Sequence, residues 1–236
     1  VRSVGKNLKK GTVVSVESTI APGTMKKVVK PALEEESGMK AGKDFYLVHC
    51  PERVRSGHLL HQLENFNRVI GSFSEDGGKK AKKFYEKIVK ADLDITDVSS
   101  AELVKTIENT YRDVQIAFAN EMAMVAENLG VDIYEVRDLV NKCPWRDMHL
   151  PGAGVGGHCI PKDSRLLAYG VRDKYMPEMT LLSRKINDNM PLHLVDLIEK
   201  NSKKGKVSVL GIAFVKDTDD TRNSPSFKVI DELKKR

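Results

Sequence analysis

The stretch Pro151-Gly152-Ala153-Gly154-Val155-Gly156-Gly157-His158-Cys159-Ile160-Pro161-Lys162-Asp163 concentrates residue types able to do chemistry. Gly152, Gly154, Gly156 and Gly157 leave the backbone bare, so its N–H groups can come close to an anion or a sugar. Cys159 ends the glycine run with Lys162 and Asp163 close by, a setting in which a cation and amide dipoles favour a thiolate nucleophile. Taken alone, the same residues also read as a flexible surface loop with an incidental cysteine. Gly152, Gly154 and Gly157 fit the spacing of a dinucleotide fingerprint, but that turn must follow a strand and open a helix. Met148-His149-Leu150-Pro151 precedes it and Pro161 follows within four residues of Gly157, so the fingerprint is rejected.

A second candidate is the pair Lys105 and Asn109, four residues apart and so on one face of a helix. An ammonium and an amide held side by side both donate hydrogen bonds and can stabilise a developing oxyanion. On its own, such a pair is more often a solvated surface.

Elements must hold these residues in place. Short β-branched runs at Gly11 to Glu17, Phe45 to Cys50, Arg68 to Gly71 and Asp92 to Thr96 predict strands, with helices up to about Glu36 and from Asp76 to Val89 between them. That alternation favours an α/β sheet. From Ser99, apolar residues at Ala101, Val104, Ile107, Tyr111, Val114, Phe118, Met122, Val125 and Leu129 recur every three or four positions until Gly130, predicting one long helix capped by Ser99 or Ser100. So long a helix seldom stays exposed on all sides, and packing against a second copy of the chain is expected. Further helices are expected from Asp132 to Asn141, from Glu178 to Asn201 and from Ser224 to Leu233, and Lys206 to Phe214 reads as the opening strand of another α/β unit.

At 236 residues, 40% hydrophobic and 31% charged, the chain can bury one sizeable core or two modest ones and lies clear of disordered compositions. No run of about 18 apolar residues and no signal-like start exist, so a cytoplasmic protein without membrane contact is expected. Both ends read as cut. Three cysteines, Cys50, Cys143 and Cys159, are too few for a disulfide framework. A net charge of +6 suits an anionic partner, yet the lysines cluster in helix-like stretches such as Lys79-Lys80, Lys82-Lys83, Lys203-Lys204 and Lys234-Lys235. No aromatic residues alternate with them as a stacking surface, which argues against nucleic acid. Cys143, His149, His158 and Cys159 match no common zinc spacing, so no metal is expected.

Ser18 to Thr24, Cys50 to Val54, Ala101 to Tyr111, Gly152 to Asp163 and Thr218 to Pro225 together resemble, in order and spacing, the UDP-glucose and UDP-N-acetylmannosamine 6-dehydrogenase family. The resemblance covers nearly the whole chain. It implies a partial Rossmann-like NAD domain over 1–97, a long-helix dimerisation and catalytic region over 98–203, and the start of a second Rossmann-like, UDP-binding domain over 204–236. The family's own glycine fingerprint is absent from this chain, so the chain alone is expected to bind NAD poorly and to be inactive. Cys50-Pro51-Glu52-Arg53-Val54 and Gly154 to Cys159 resemble the N-acetylhexosamine branch, which implies UDP-N-acetylmannosamine as substrate and a homodimer as the assembly.

By that resemblance, Cys159 is the nucleophile that carries a thiohemiacetal and then a thioester. Lys105, Asn109 and Asp163 hold the oxyanion and place the water, Glu52 acts as a base, and Thr19 lies near the nicotinamide and the catalytic water. Arg222 reaches the cofactor phosphates, and substrate contacts fall to Gly152, Gly154, Gly156, Gly157, His158 and Arg53. Two positions depart from the family: Phe214 is followed by Val215 where a lysine is usual, with Lys216 next, and Ser56 stands where the glucose branch often has a second glutamate and carries no assigned role. An inactive scaffold of the same fold and a 6-phosphogluconate-type hydroxyacid dehydrogenase are the alternatives.

Overall fold

The structure, a computed structural model, describes residues 1–54, 59–202 and 205–236. Ser56, Lys203 and Lys204 lie outside the described residues. The chain divides into two compact units, Val1–Glu108 with Tyr169–Lys174, and Asn109–Ala168 with Tyr175–Arg236.

The first unit is built on a sheet of four strands, β1 (Val13–Val16), β2 (Tyr46–His49), β3 (Arg68–Ser72) and β4 (Leu93–Asp97), in that order. Strands β1 and β2 run parallel with Val13 opposite Tyr46, and β3 and β4 run parallel with Arg68 opposite Leu93. Between these pairs β2 and β3 are antiparallel, His49 facing Gly71. Alternation along β2 sends Leu47 and Val48 to opposite faces. Val48, Cys50, Ile70 and Leu93 pack under Ala81 and Tyr85 of helix α4 (Glu75–Tyr85) and Val89 just beyond it. On the other face Phe45 and Leu47 pack with Val98 and with Met25, Val29 and Leu33, which belong to a π-helical turn (Met25–Val29) and the helix α2 (Lys30–Ser37) that continues it. A short helix α1 (Arg2–Lys6) precedes β1, and a further short helix, α3 (Leu59–Asn65), was not expected from the sequence. Helix α4 stops at Tyr85, four residues before the expected end, because Lys87 and Ile88 donate to Phe84 and Tyr85 in tighter turns.

Helix α5 (Val98–Leu129) has 32 residues and begins in the first unit. Its cap differs from the expected serines. The carboxylate of Asp97 accepts the N–H groups of Ser99 at 2.8 Å and Ser100 at 3.2 Å, so these serines lie inside the first turn as donors. Gly130, at φ 69°, ends the helix.

The second unit holds the rest of α5, α6 (Ile133–Asn141), α7 (Cys159–Val171) as far as Ala168, α8 (Glu178–Asn201) and α9 (Pro225–Lys235). Its interior uses small and polar residues: Ala117, Ala119, Ala123 and Ala126 of α5 are buried, together with Met190, Val195 and Val229. Much of the apolar stripe read along α5 faces outward in the single chain. Tyr111 is 63% exposed, Leu129 is 72% exposed, and Ile107, Phe118 and Val125 are exposed as well. Alanine faces allow close helix approach, and that approach turns the bulky residues outward.

Two expectations about local structure are corrected. Residues 206–213 form no strand: they join no ladder among the described residues, and Gly211 at φ 82° breaks an extended run. Pro161 does not prevent a helix after the glycine run: α7 begins at Cys159, and proline fits the first turn, where N–H groups have no intrahelical acceptor. No described helix is long and apolar enough to cross a membrane.

Candidate active site

In the second unit the candidate residues gather at the start of α7. Cys159 is its first residue and is exposed to solvent. One turn later Asp163 is fully buried, and its Oδ2 accepts the Asn109 side-chain amide of α5 at 2.5 Å. Lys162 Nζ lies 2.6 Å from Asp163 Oδ1 as an ion pair, and the buried Oδ1 accepts no hydrogen bond among the described residues. A thiol, a buried carboxylate and an amide thus sit on two facing helices. Lys105 lies one turn before Asn109 on α5, half-buried and without an ion-pair partner among the described residues.

The glycine run is fastened by this unit's own atoms. Gly152 N–H donates to Asn120 Oδ1 at 2.8 Å. Gly157, at φ 82°, donates its N–H to the carbonyl of Arg222 at 2.8 Å and accepts from the Asn223 amide at 2.9 Å. A Cβ at Gly156 or Gly157 would come within 2.5 or 2.6 Å of Phe214, so these positions are glycine because Phe214 lies against them. Helix α8 contains Pro191, which has no N–H to give the carbonyl of Asn187 one turn earlier. Gly154 occupies that place, where a Cβ would stand 2.9 Å from Asn187 O. His158 is exposed, with no hydrogen bond or ion pair among the described residues.

Arg222 is held by its neighbour Asp220, whose Oδ1 and Oδ2 accept from Nε and Nη2 at 2.9 and 2.5 Å. The guanidinium holds the Asp220 carboxyl down to about 2, first through these hydrogen bonds. Arg222 itself is raised above its ordinary value by Asp220, with a smaller contribution from Cys159. One edge of its guanidinium therefore has a protein carboxylate as partner, and Nη1 has no hydrogen-bond partner among the described residues.

A buried polar network lies behind the loop. Asp113 of α5 accepts from Arg184 Nη1 at 2.5 Å, Asn187 Nδ2 at 2.8 Å and Ser164 Oγ at 2.8 Å, and all four residues are buried. Burial pushes the Asp113 carboxyl above its ordinary range, and Arg184, Ser164 and Asn187 pull against that shift.

The remaining candidates belong to the first unit, at the carboxyl ends of β1 and β2, where open α/β sheets bind ligands. Thr19 is half-buried in the loop after β1, and its hydroxyl has no partner among the described residues. Glu52 follows β2: Oε1 accepts the N–H groups of Arg53 and Val54 at 2.7 and 3.0 Å, and Oε2 accepts Arg68 Nη2 at 2.7 Å, which leaves one lone pair on Oε2. Arg53 donates to the Asn67 carbonyl at 2.9 Å and pairs with Glu108 of α5. His49 is buried with Nδ1 against Val16 O at 2.8 Å and Nε2 unpartnered among the described residues; burial lowers its pKa, favouring the neutral ring.

The sequence reading missed Glu102, which is fully buried and accepts the N–H groups of Gly23 and Met25, both at 2.7 Å. This carboxylate closes the far end of the loop that carries Thr19. No group of three or more His, Cys, Asp or Glu among the described residues is arranged to hold a metal ion.

Residues 1–89, 99–189 and 208–236 match, in that order, the NAD binding domain, the central domain and the UDP binding domain of one family. The chain belongs to the UDP-glucose/GDP-mannose dehydrogenase family. Within it, the chain is 39% identical to a UDP-N-acetyl-D-mannosamine dehydrogenase of Pyrococcus horikoshii over 99% of its own length and 57% of the relative's. The solved Pyrococcus horikoshii structure superposes with a TM-score of 0.91 at 40% identity, covering 99% of this chain and 57% of that one. An NDP-N-acetyl-D-galactosaminuronic acid dehydrogenase structure from Methanosarcina mazei gives 0.91 at 42% identity, covering 99% and 54%. The chain therefore spans a little over half the length of these dehydrogenases.

Proposed function

We propose that this chain forms the NAD-facing and catalytic portion of an NAD-dependent dehydrogenase that oxidises the primary alcohol of a UDP-sugar to a carboxylate through Cys159. The observation that carries the reading is the solvent-open Cys159 thiol at the start of α7, one turn from the buried Asp163 that Asn109 binds. Converting an alcohol to an acid removes two hydrides, and an aldehyde lies between the two steps. Addition of the Cys159 sulfur to that aldehyde gives a thiohemiacetal, which keeps the intermediate bound. Loss of the second hydride leaves a thioester, and water releases the acid and restores the thiol. Asp163 Oδ1 is buried and paired with Lys162, so orienting that water requires the Lys162 ammonium to move aside, while the Asn109 amide and the Lys105 ammonium donate to developing oxyanions.

NAD supplies the hydride acceptor in each oxidation when bound. The residues present fit it in the first unit, where the unpartnered Thr19 hydroxyl stands at the carboxyl end of β1, with Glu52 after β2. Arg222 is proposed for the cofactor phosphates through Nη1, since Asp220 takes only the Nε and Nη2 edge of its guanidinium.

UDP-N-acetylmannosamine is the proposed substrate, supported by the names of the Pyrococcus horikoshii and Methanocaldococcus jannaschii relatives, the latter 40% identical over 99% of this chain and 53% of its own length. The glycine run, His158 and Arg53 are proposed substrate contacts, within the layout 1–97, 98–203 and 204–236. A homodimer is proposed from the exposed Tyr111, Phe118, Val125 and Leu129 of α5. The test is turnover of the full-length protein with a panel of UDP-sugars. Two NADH per uronate, lost in Cys159→Ala, are expected; no turnover of any UDP-acetamido sugar would sink the reading.

A further inference from the structure

Asp113 lies outside every motif above, yet two hydrogen-bonded routes run from its carboxylate to the segment that presents Cys159. On the first, Asn187 binds Asp113 through Nδ2 at 2.8 Å and accepts Asn120 Nδ2 at 2.8 Å, and Asn120 Oδ1 takes the Gly152 N–H at 2.8 Å. On the second, Ser164 Oγ donates to Asp113 at 2.8 Å from α7, immediately after Asp163. The first route ends where the glycine run begins. The second ends within the first two turns of the helix that Cys159 opens.

We propose that Asp113 is the positioning residue of the Cys159 site, its buried carboxylate fixing both ends of the segment from Gly152 to Ser164 to one rigid point between α5 and α8. The proposal rests on the reading of Cys159 as nucleophile. A glycine-rich loop has more conformational freedom to lose than any other, so its precision must come from outside it. Buried ion pairs such as Asp113 with Arg184 give little net stability over well-packed apolar residues, but their geometry is directional. Arg184 also donates to Asp188 at 2.7 Å, which orients it further. The hub therefore supplies registry, and the thiol, Asp163 and Asn109 inherit it.

Three cysteines in different settings make the test internal to one molecule: Cys159 and Cys143 are exposed and Cys50 is buried. In the full-length protein, iodoacetamide alkylation of Cys159 and Cys143 is followed by peptide mass spectrometry. Ser164→Ala removes only the tie to α7 and is small enough to fold, and Ser164→Thr restores the hydroxyl. The ratio of the Cys159 rate to the Cys143 rate is expected to shift by at least about three-fold in Ser164→Ala and to return in Ser164→Thr, because untying α7 from Asp113 changes the access and surroundings of its first residue. Turnover should lose kcat with little change in KM. An unchanged alkylation ratio overturns the proposal, as does a parallel change at both cysteines, which reports general loosening. Because alkylation needs no turnover, an inactive wild type would count against the enzymatic reading and leave this result to be judged by itself.

Discussion

Phe214 lies so close to Gly157 that a methyl group added there would come within 2.6 Å of its ring. Gly157 also has φ 82°, a backbone state that side chains disfavour. Gly157→Ala therefore combines backbone strain with overpacking and should cost roughly 2–4 kcal/mol in urea unfolding. Trimming the ring with Phe214→Ala in the same molecule should return part of that loss. If the two changes are additive, the contact has been misjudged.

Asn109→Ala should separate activity from stability. It removes a donor from the buried Asp163 carboxylate, worth about 1–3 kcal/mol in unfolding. Loss of an oxyanion donor should lower kcat by roughly a hundred-fold or more in the full-length protein. Equal kcat in the two proteins would remove Asn109 from the chemistry.

Glu102→Gln changes a buried carboxylate into an amide whose NH2 must face one of the N–H groups of Gly23 and Met25. One donor then lacks an acceptor, at a cost of about 1–3 kcal/mol. Hydrogen exchange at these two amides is expected to accelerate well beyond that of β1 and β2. Unchanged protection at both would show that other contacts hold the Thr19 loop.

Asp97→Ala tests the start of α5. Ser100, through its hydroxyl and then its amide, and Ser99 hold the Asp97 carboxyl below its usual range. Because the folded value is depressed, the fold favours the charged form. The contribution is complete above about pH 4 and is lost as pH falls through the folded value. The variant should be about 1 kcal/mol less stable at pH 7, with the gap closing in acid. A gap independent of pH would assign the effect to something other than the cap's charge.

Much of this was readable in the sequence because period and punctuation speak directly. The β-branched runs at Val13–Val16 and Tyr46–His49 became strands, and α8 has the expected ends, Glu178 and Asn201. Helix α7 was hidden by Pro161, read as a stop although its place in the first turn makes it harmless. The period on α5 gave the helix, but not that Ala117, Ala119, Ala123 and Ala126 are its buried residues while Tyr111, Phe118, Val125 and Leu129 face outward. Within the site, Cys159, Asn109 and Asp163 stood out by residue type and company. Asp113 and Glu102 did not, because a buried carboxylate looks like a surface one until its donors are known, and these lie 51 residues from Asp113 in Ser164 and 79 from Glu102 in Gly23.

Pro191 gives α8 a missing rung, and the chain uses the gap as a seat for Gly154. An isolated peptide of α8 would gain helicity from alanine at 191, whereas in the folded protein the same change would supply an N–H for the Asn187 carbonyl and crowd out its guest. The best sequence for this helix and the best sequence for this protein are therefore different, and a redesign that scores each element separately would repair the defect and lose the fit.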